Sequence, residues 1–150
     1  MLDPSTAFFL AGLLALAGWA SLMVAIFAER VRPFAFAAAA VLIPALLAVA
    51  YILLIGQGWG KAEGGGFGSI GEVRALFAND AALAAGWLHY LAFDLFVGAW
   101  IAREGLARGV PRILLLPCFA LTFLFGPAGF LLFLAVRLAF GRRPAPETEE

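Results

Sequence analysis

The chain predicts an all-α membrane protein, a bundle of four transmembrane helices with a short amphipathic surface helix between the second and third. Three observations carry this reading. Of 150 residues, 64% are hydrophobic and only 13% charged, with a mean hydropathy of +0.99. A soluble domain has apolar and charged fractions nearer roughly one half and one quarter, so there is too little polar surface here to cover a water-soluble globule. The charged residues are gathered into short clusters, and the apolar runs between them are each long enough for the ~20 residues of a membrane crossing. Residues 1–140 read as one transmembrane domain and 141–150 as a polar C-terminal tail.

Composition also narrows the function classes. A formal net charge of +0 offers no basic footprint for nucleic acid. The single Cys118, inside an apolar run, leaves no partner for an intrachain disulfide. Met1-Leu2-Asp3-Pro4 carries an acid where a signal or transit peptide would be basic, and the first apolar run is too long for a signal core, so it is expected to stay as an anchor. Arginine in place of lysine, with abundant Ala and Gly, suggests a GC-rich bacterial genome and hence a bacterial inner membrane.

The first run lies between Asp3 and Glu29. Pro4 suits a first helical turn, and Ser5 or Thr6 are candidate caps. Gly12, Gly18, Ala11, Ala15 and Ser21 offer faces for close helix approach. After Glu29-Arg30-Val31-Arg32-Pro33 the second helix is expected from Phe34 to about Ile55, kinked at Pro44, with Tyr51, Gln57 and Trp59 near its exit. Gly56 to Gly68 is glycine-rich and reads as a flexible loop. Ser69-Ile70-Gly71-Glu72 has the form of a capping box, and Ile70, Val73, Leu76 and Phe77 follow at helical spacing, predicting the short surface helix. Asn79-Asp80 can cap the third helix, about Ala81 to Ile101. The fourth run, Ile113 to Val136, is interrupted by Pro117 and by Gly126-Pro127 and predicts a bent or broken helix. Glu147, Glu149 and Glu150 make the tail acidic.

Four spans would put both termini and the long loop on one side. Lys61, Arg74, Arg137, Arg142 and Arg143 would then face Arg30, Arg32, Arg103, Arg108 and Arg112. The split is even, and only the closeness of the second set to helix ends tips the short loops toward the cytoplasm.

The residues with chemistry in them concentrate in Gly86 to Gly98 of the third helix, which holds the chain's one histidine and an acid deep in an apolar run. A charge near a bilayer centre costs about 2.5–3.5 kcal/mol on insertion scales, and such residues are functional by default. At 100° per residue Trp87, Leu91, Asp94, Gly98 and Ile101 share one face, with Tyr90 flanking it and able to bond the Asp94 carboxyl. His89 points about 140° away, beside Phe93, Phe96 and Trp100, so His89 and Asp94 do not touch in a regular helix. Asp94 reads either as a helix fastener, with Arg137 a conceivable partner, or as a proton donor. His89 reads either as a structural residue or as a general base. One histidine builds neither a bis-histidine haem site nor a three-histidine zinc site, Cys118 lacks a nearby base, and Gly64-Gly65-Gly66 lacks the flanks of a phosphate loop. No metal and no cofactor is expected.

The run Gly86-Trp87-Leu88-His89-Tyr90-Leu91-Ala92-Phe93-Asp94-Leu95-Phe96-Val97-Gly98, with Pro117 and Thr122-Phe123-Leu124-Phe125-Gly126-Pro127-Ala128-Gly129, resembles the abscisic-acid-deficient-four-like family. The plant members of that family are the neoxanthin synthase type of chloroplast membrane protein. The resemblance runs from about the first helix to Phe140 and implies a small bundle of membrane helices. It further implies a carotenoid or related isoprenoid as ligand and an isomerisation that opens an epoxide without consuming redox equivalents. Such a reaction needs an acid at the epoxide oxygen and a base at the neighbouring polyene carbon. Asp94 as acid and His89 as base, with Tyr90, would fit, in a pocket between the third and fourth helices lined by Trp87, Phe93, Gly98, Thr122, Phe123, Gly126 and Pro127. Its Met1-Leu2-Asp3-Pro4 start does not read as a transit peptide, so a departure from the plant members is expected there. A non-catalytic pigment- or lipid-binding membrane protein and a small proton-coupled carrier are the rival readings. Beyond the bilayer and the apolar ligand, a homo-oligomer is compatible with the sequence.

Overall fold

The computed structural model describes residues 1–141, and these are helical with short connections; no strand occurs among them. Helix α1 spans Pro4–Phe27, α2 Glu29–Gly58, α3 Ile70–Leu76, α4 Asp80–Ala107, α5 Arg112–Phe125 and α6 Pro127–Phe140. Three of them, α1, α2 and α4, are long and apolar enough to cross a membrane. The acidic tail beyond Gly141 lies outside the described residues.

Local chemistry explains where the helices begin. Asp3, rather than Ser5 or Thr6, is the N-cap of α1: its carboxylate accepts the Thr6 backbone N–H at 2.7 Å, and Pro4 takes the first helical position. Those hydrogen bonds from Thr6 hold the Asp3 carboxyl below its ordinary pKa. Asn79 caps α4 by accepting from Ala81 and Ala82. At α3, Ser69 accepts from the Glu72 N–H, and the Glu72 carboxylate reaches back to the Gly68 N–H at 2.9 Å. The capping box is therefore closed one residue further out than its usual form.

The expected kink at Pro44 is accommodated by widening. Ala38–Leu42 forms a π-turn, in which the Ile43 N–H donates to the Ala38 carbonyl. Proline removes one N–H and crowds the carbonyl of the residue four before it, and an extra residue in the turn relieves both.

The core runs between α1, α2 and α4. Ala7, Ala11, Ala15 and Gly18 recur on the buried face of α1, so its backbone comes close to α4. A Cβ on Gly18 would meet Leu95 at 2.6 Å. One turn on, the Trp19 indole lies over Gly98, where a Cβ would collide with the ring.

The fourth apolar run departs from the expectation of a fourth crossing. It is two helices of 14 residues each, α5 and α6, folded back on each other at Gly126. Leu115 and Phe133, far apart in a straight helix, both lie against Gly105, and Gly129 packs on Thr122 and the Cys118 carbonyl. At about 1.5 Å per residue each arm is about 21 Å long, short of a ~30 Å hydrocarbon core. The physical cause is the Gly126-Pro127 pair: Pro127 cannot donate to the Phe123 carbonyl, and Gly126 supplies φ +42° and ψ −92°, a turn closed to other residues. Gly141 thus comes back to the end of the bundle where α5 began.

That end is knitted by charge. The Glu104 carboxylate accepts from Arg108 and, at 3.1 Å, from Arg137, which also stands over the Trp100 ring at 5.9 Å. Glu29 pairs with Arg32 at 3.2 Å and with Arg112 at 3.4 Å. Arg137 is therefore engaged at the bundle's end and is no partner of Asp94. The hairpin return also draws Trp100 against Phe130 and Phe133 of α6, away from the His89 side assigned to it by simple helical geometry.

Candidate functional site

Asp94 stands midway along α4, on the side that meets the tip of the hairpin. Its Oδ2 is fully buried and has no hydrogen-bond partner among the described residues. The carboxyl lies directly against Gly126: a Cβ there would stand 2.7 Å from Asp94 Oδ1. Gly126 is also the N-cap residue of α6, which has no side-chain cap. The acid therefore faces the N-terminal end of a helix, a placement that favours negative charge by about 0.3–1 kcal/mol and more when partly buried.

Tyr90, one turn earlier, reaches the same break by another route. Its hydroxyl donates to the Phe123 carbonyl at 3.0 Å, the acceptor that Pro127 orphans. The same hydroxyl stays within hydrogen-bonding reach of the Asp94 carboxyl, as expected, so it is shared between the acid and the backbone. Trp87 completes this side, stacking on Phe8 and lying against Tyr90 with ring centroids 5.3 Å apart in both cases.

Next to the break, an apolar groove of ≈ 200 Å³ opens between α1 and α5, lined by Leu16, Trp19, Met23, Leu116, Phe119 and Phe123 among others. Trp19 makes edge contacts with Phe119 and Phe123, centroids 5.9 Å apart. Phe123 joins the two halves, its carbonyl bound by Tyr90 and its ring in the groove. Gly98 contributes as the hollow that admits Trp19. Thr122, expected to line the ligand pocket, is wholly buried in the hairpin seam, donating to the Cys118 carbonyl at 2.8 Å. Gly126 and Pro127 form the break itself.

His89 lies elsewhere. It is exposed on the α2 side of α4, stacked on Phe93 at 4.7 Å and tilted against Tyr51 at 5.9 Å. The geometry thus brings together Asp94, Tyr90, Trp87, Phe123, Gly126 and Pro127, and leaves His89 and Phe93 apart. Among the described residues no group of His, Cys, Asp and Glu is arranged to hold a metal ion.

Trp19 and Phe119 are parts of the site that residue-by-residue reading passed over. Neither carries a local signal, because what marks Trp19 is Gly98, far along the chain. The Tyr90–Phe123 bond did leave a trace: a proline four residues after Phe123 announces a carbonyl in need of another donor.

Chemically, the arrangement is a half-buried carboxyl with one uncommitted oxygen, a phenol beside it, a helix break against it, and an apolar groove alongside. A carboxyl of this kind can deliver a proton and take one back. Comparison with curated proteins and with solved structures finds no match to either. Residues 6–133 match the family model ABA4-like, described as ABA DEFICIENT 4-like, and this helical membrane protein belongs to that family.

Proposed function

We propose that this ABA4-like protein acts on a carotenoid or related isoprenoid by acid–base isomerisation at Asp94. The observation that carries the reading is the buried Asp94 Oδ2 without a partner, held against the Gly126 break. A buried carboxylate oxygen left without a partner in a spanning helix needs another reason to be there. In an epoxide-opening isomerisation the Asp94 carboxyl gives its proton to the epoxide oxygen as the C–O bond breaks. The resulting carboxylate, with Tyr90 beside it, recovers a proton from the neighbouring polyene carbon. Protons balance and no electrons are exchanged, so the acid and base roles can reside in one carboxyl. The groove along Trp19, Phe119 and Phe123 would hold the apolar chain. His89, on the other side of α4, takes no part in this step.

The same reading has α1, α2 and α4 crossing the membrane, α3 at its surface, and the α5–α6 hairpin entering and leaving from one side. Arg30, Arg32, Arg103, Arg108, Arg112 and Arg137 then gather at that end, against Lys61 and Arg74 at the other. Counted over the described residues, the five to three of a four-span arrangement becomes six to two, and the arginine-rich end is cytoplasmic, in a bacterial inner membrane.

The test is expression in hosts that make epoxidised xanthophylls, other xanthophylls or acyclic carotenoids, followed by pigment analysis. A new isomer of unchanged mass is expected with the native chain and its loss with Asp94→Asn. Pigment profiles identical to an empty vector in every host sink the enzymatic reading. Pigment that co-purifies equally with both chains, unconverted, supports a binding protein instead.

A further inference from the structure

The turn between α1 and α2 joins an apolar groove to uncompensated positive charge. The groove, of ≈ 380 Å³, lies between Ser21 and Val24 on α1 and Val31, Phe34, Ala35 and Ala38 on α2. Ala35 is buried at its floor, and Phe34 beside it is 79% exposed. From Val31 to Ala38 the groove descends α2 by about 10 Å, at ~1.5 Å per residue. Arg30 adjoins Val31 at the mouth, is exposed, and pairs with no acid among the described residues. Its neighbour Glu29 is already committed to Arg32 and Arg112. The Arg32 Nε donates to the Ala25 carbonyl at 3.0 Å, which fixes that guanidinium at the turn, while its buried Nη2 has no acceptor among the described residues. Arg103, also without an acid partner among them, reaches from α4 over the Phe36 ring of α2 at 5.1 Å. At this end of the bundle the arginines at 30, 32, 103, 108, 112 and 137 outnumber the glutamates at 29 and 104 six to two among the described residues.

We infer that this turn binds an anionic phospholipid, its phosphate at Arg30 and the upper part of one acyl chain in the groove. Two properties of the place match that amphiphile and its sign. A planar guanidinium free of a carboxylate partner presents paired donors to phosphate oxygens, and its geometry suits them better than an ammonium does. The excess of positive charge around it favours a headgroup of net negative charge over a zwitterion, as basic pockets between membrane helices do. Directly below, the groove is lined by apolar side chains and Ser21, whose hydroxyl is turned inward to the Gly18 carbonyl at 2.7 Å and asks nothing of a ligand. The groove beside Phe93 and Phe96 has no charged residue in its lining, so any lipid chain serves there and no headgroup is selected. The inference rests on α1 and α2 crossing the membrane and is independent of the chemistry at Asp94.

The test is native mass spectrometry of the full chain in detergent, titrated with phosphatidylglycerol or with phosphatidylcholine of the same acyl chains. Phosphatidylglycerol is expected to be retained in preference. Arg30→Gln should weaken its retention about fivefold, the equivalent of the ~1 kcal/mol that one arginine contributes near an anionic surface, and should leave phosphatidylcholine unchanged. Val24→Trp fills the groove from its exposed α1 side and should weaken phosphatidylglycerol by a similar factor with Arg30 intact. Arg74→Gln, at the other end of the bundle, should have no effect. Circular dichroism of each variant, expected to match the native chain, separates lost binding from lost fold. Equal retention of the two lipids overturns the inference, as does a loss with Arg74→Gln as large as with Arg30→Gln. Retention insensitive to Val24→Trp overturns it too, since the charge would then act without the groove. So does displacement of the lipid by millimolar glycerol phosphate, which would make the turn a site for a soluble phosphate.

Discussion

Replacing Gly126 by alanine tests whether the hairpin break and the acid form one unit. Two costs follow from the geometry. The backbone at φ +42° and ψ −92° excludes a side chain on conformational grounds, worth about 1–3 kcal/mol. The added methyl would also stand 2.7 Å from Asp94 Oδ1, so the carboxyl has to move. These costs separate in a double-mutant cycle, because only the second depends on Asp94. Gly126→Ala should lower stability by about 2–4 kcal/mol, the backbone cost plus the displacement. In an Asp94→Ala background the same change should cost about 1–3 kcal/mol, leaving a coupling of roughly 1 kcal/mol. The assay is SDS-induced unfolding in mixed micelles, followed by tryptophan fluorescence, since Trp19 and Trp87 both border the site. An alanine at 126 that costs nothing, or costs the same with and without Asp94, refutes the reasoning.

Three further outcomes are expected. Tyr90→Phe removes the side-chain donor that serves the Phe123 carbonyl in place of Pro127, and should destabilise by about 1–3 kcal/mol in the same unfolding assay. In a Cys118→Ala background, membrane-impermeant maleimide should reach cysteines at Ala107 and Ala139 from the same side and one at Glu63 from the opposite side. A four-span chain would instead group Glu63 with Ala139. Asp3, whose pKa is lowered by its bonds from Thr6, contributes stability that is full above the ordinary carboxylate pKa and fades as pH falls through the lowered value. Asp3→Ala should therefore flatten the acid side of the melting-temperature profile, and a profile parallel to the native one would show that the cap contributes nothing.

Much of this protein is determined by the sequence alone. Apolar runs bounded by charges dictate helices, because a chain in lipid must satisfy its backbone internally. Capping side chains at Ser69 and Asn79 act within a few residues, so they are legible as local patterns. Asp94 announces itself by energetic cost, and helical phase alone separates it from His89. What only the tertiary structure decided are the matters that depend on distant partners. A Gly-Pro pair says that a helix breaks; whether it bends or folds back depends on Gly129 finding Thr122 and on Gly105 admitting Leu115 and Phe133. From that one choice follow the return of Gly141 to the end of the bundle where α5 began and the engagement of Arg137 with Glu104 in place of Asp94. Tyr51 meets His89, and Trp19 meets Gly98, because antiparallel helices bring together residues that sequence keeps far apart. Local chemistry sets what each segment can be, and packing between small and large side chains settles which segments meet.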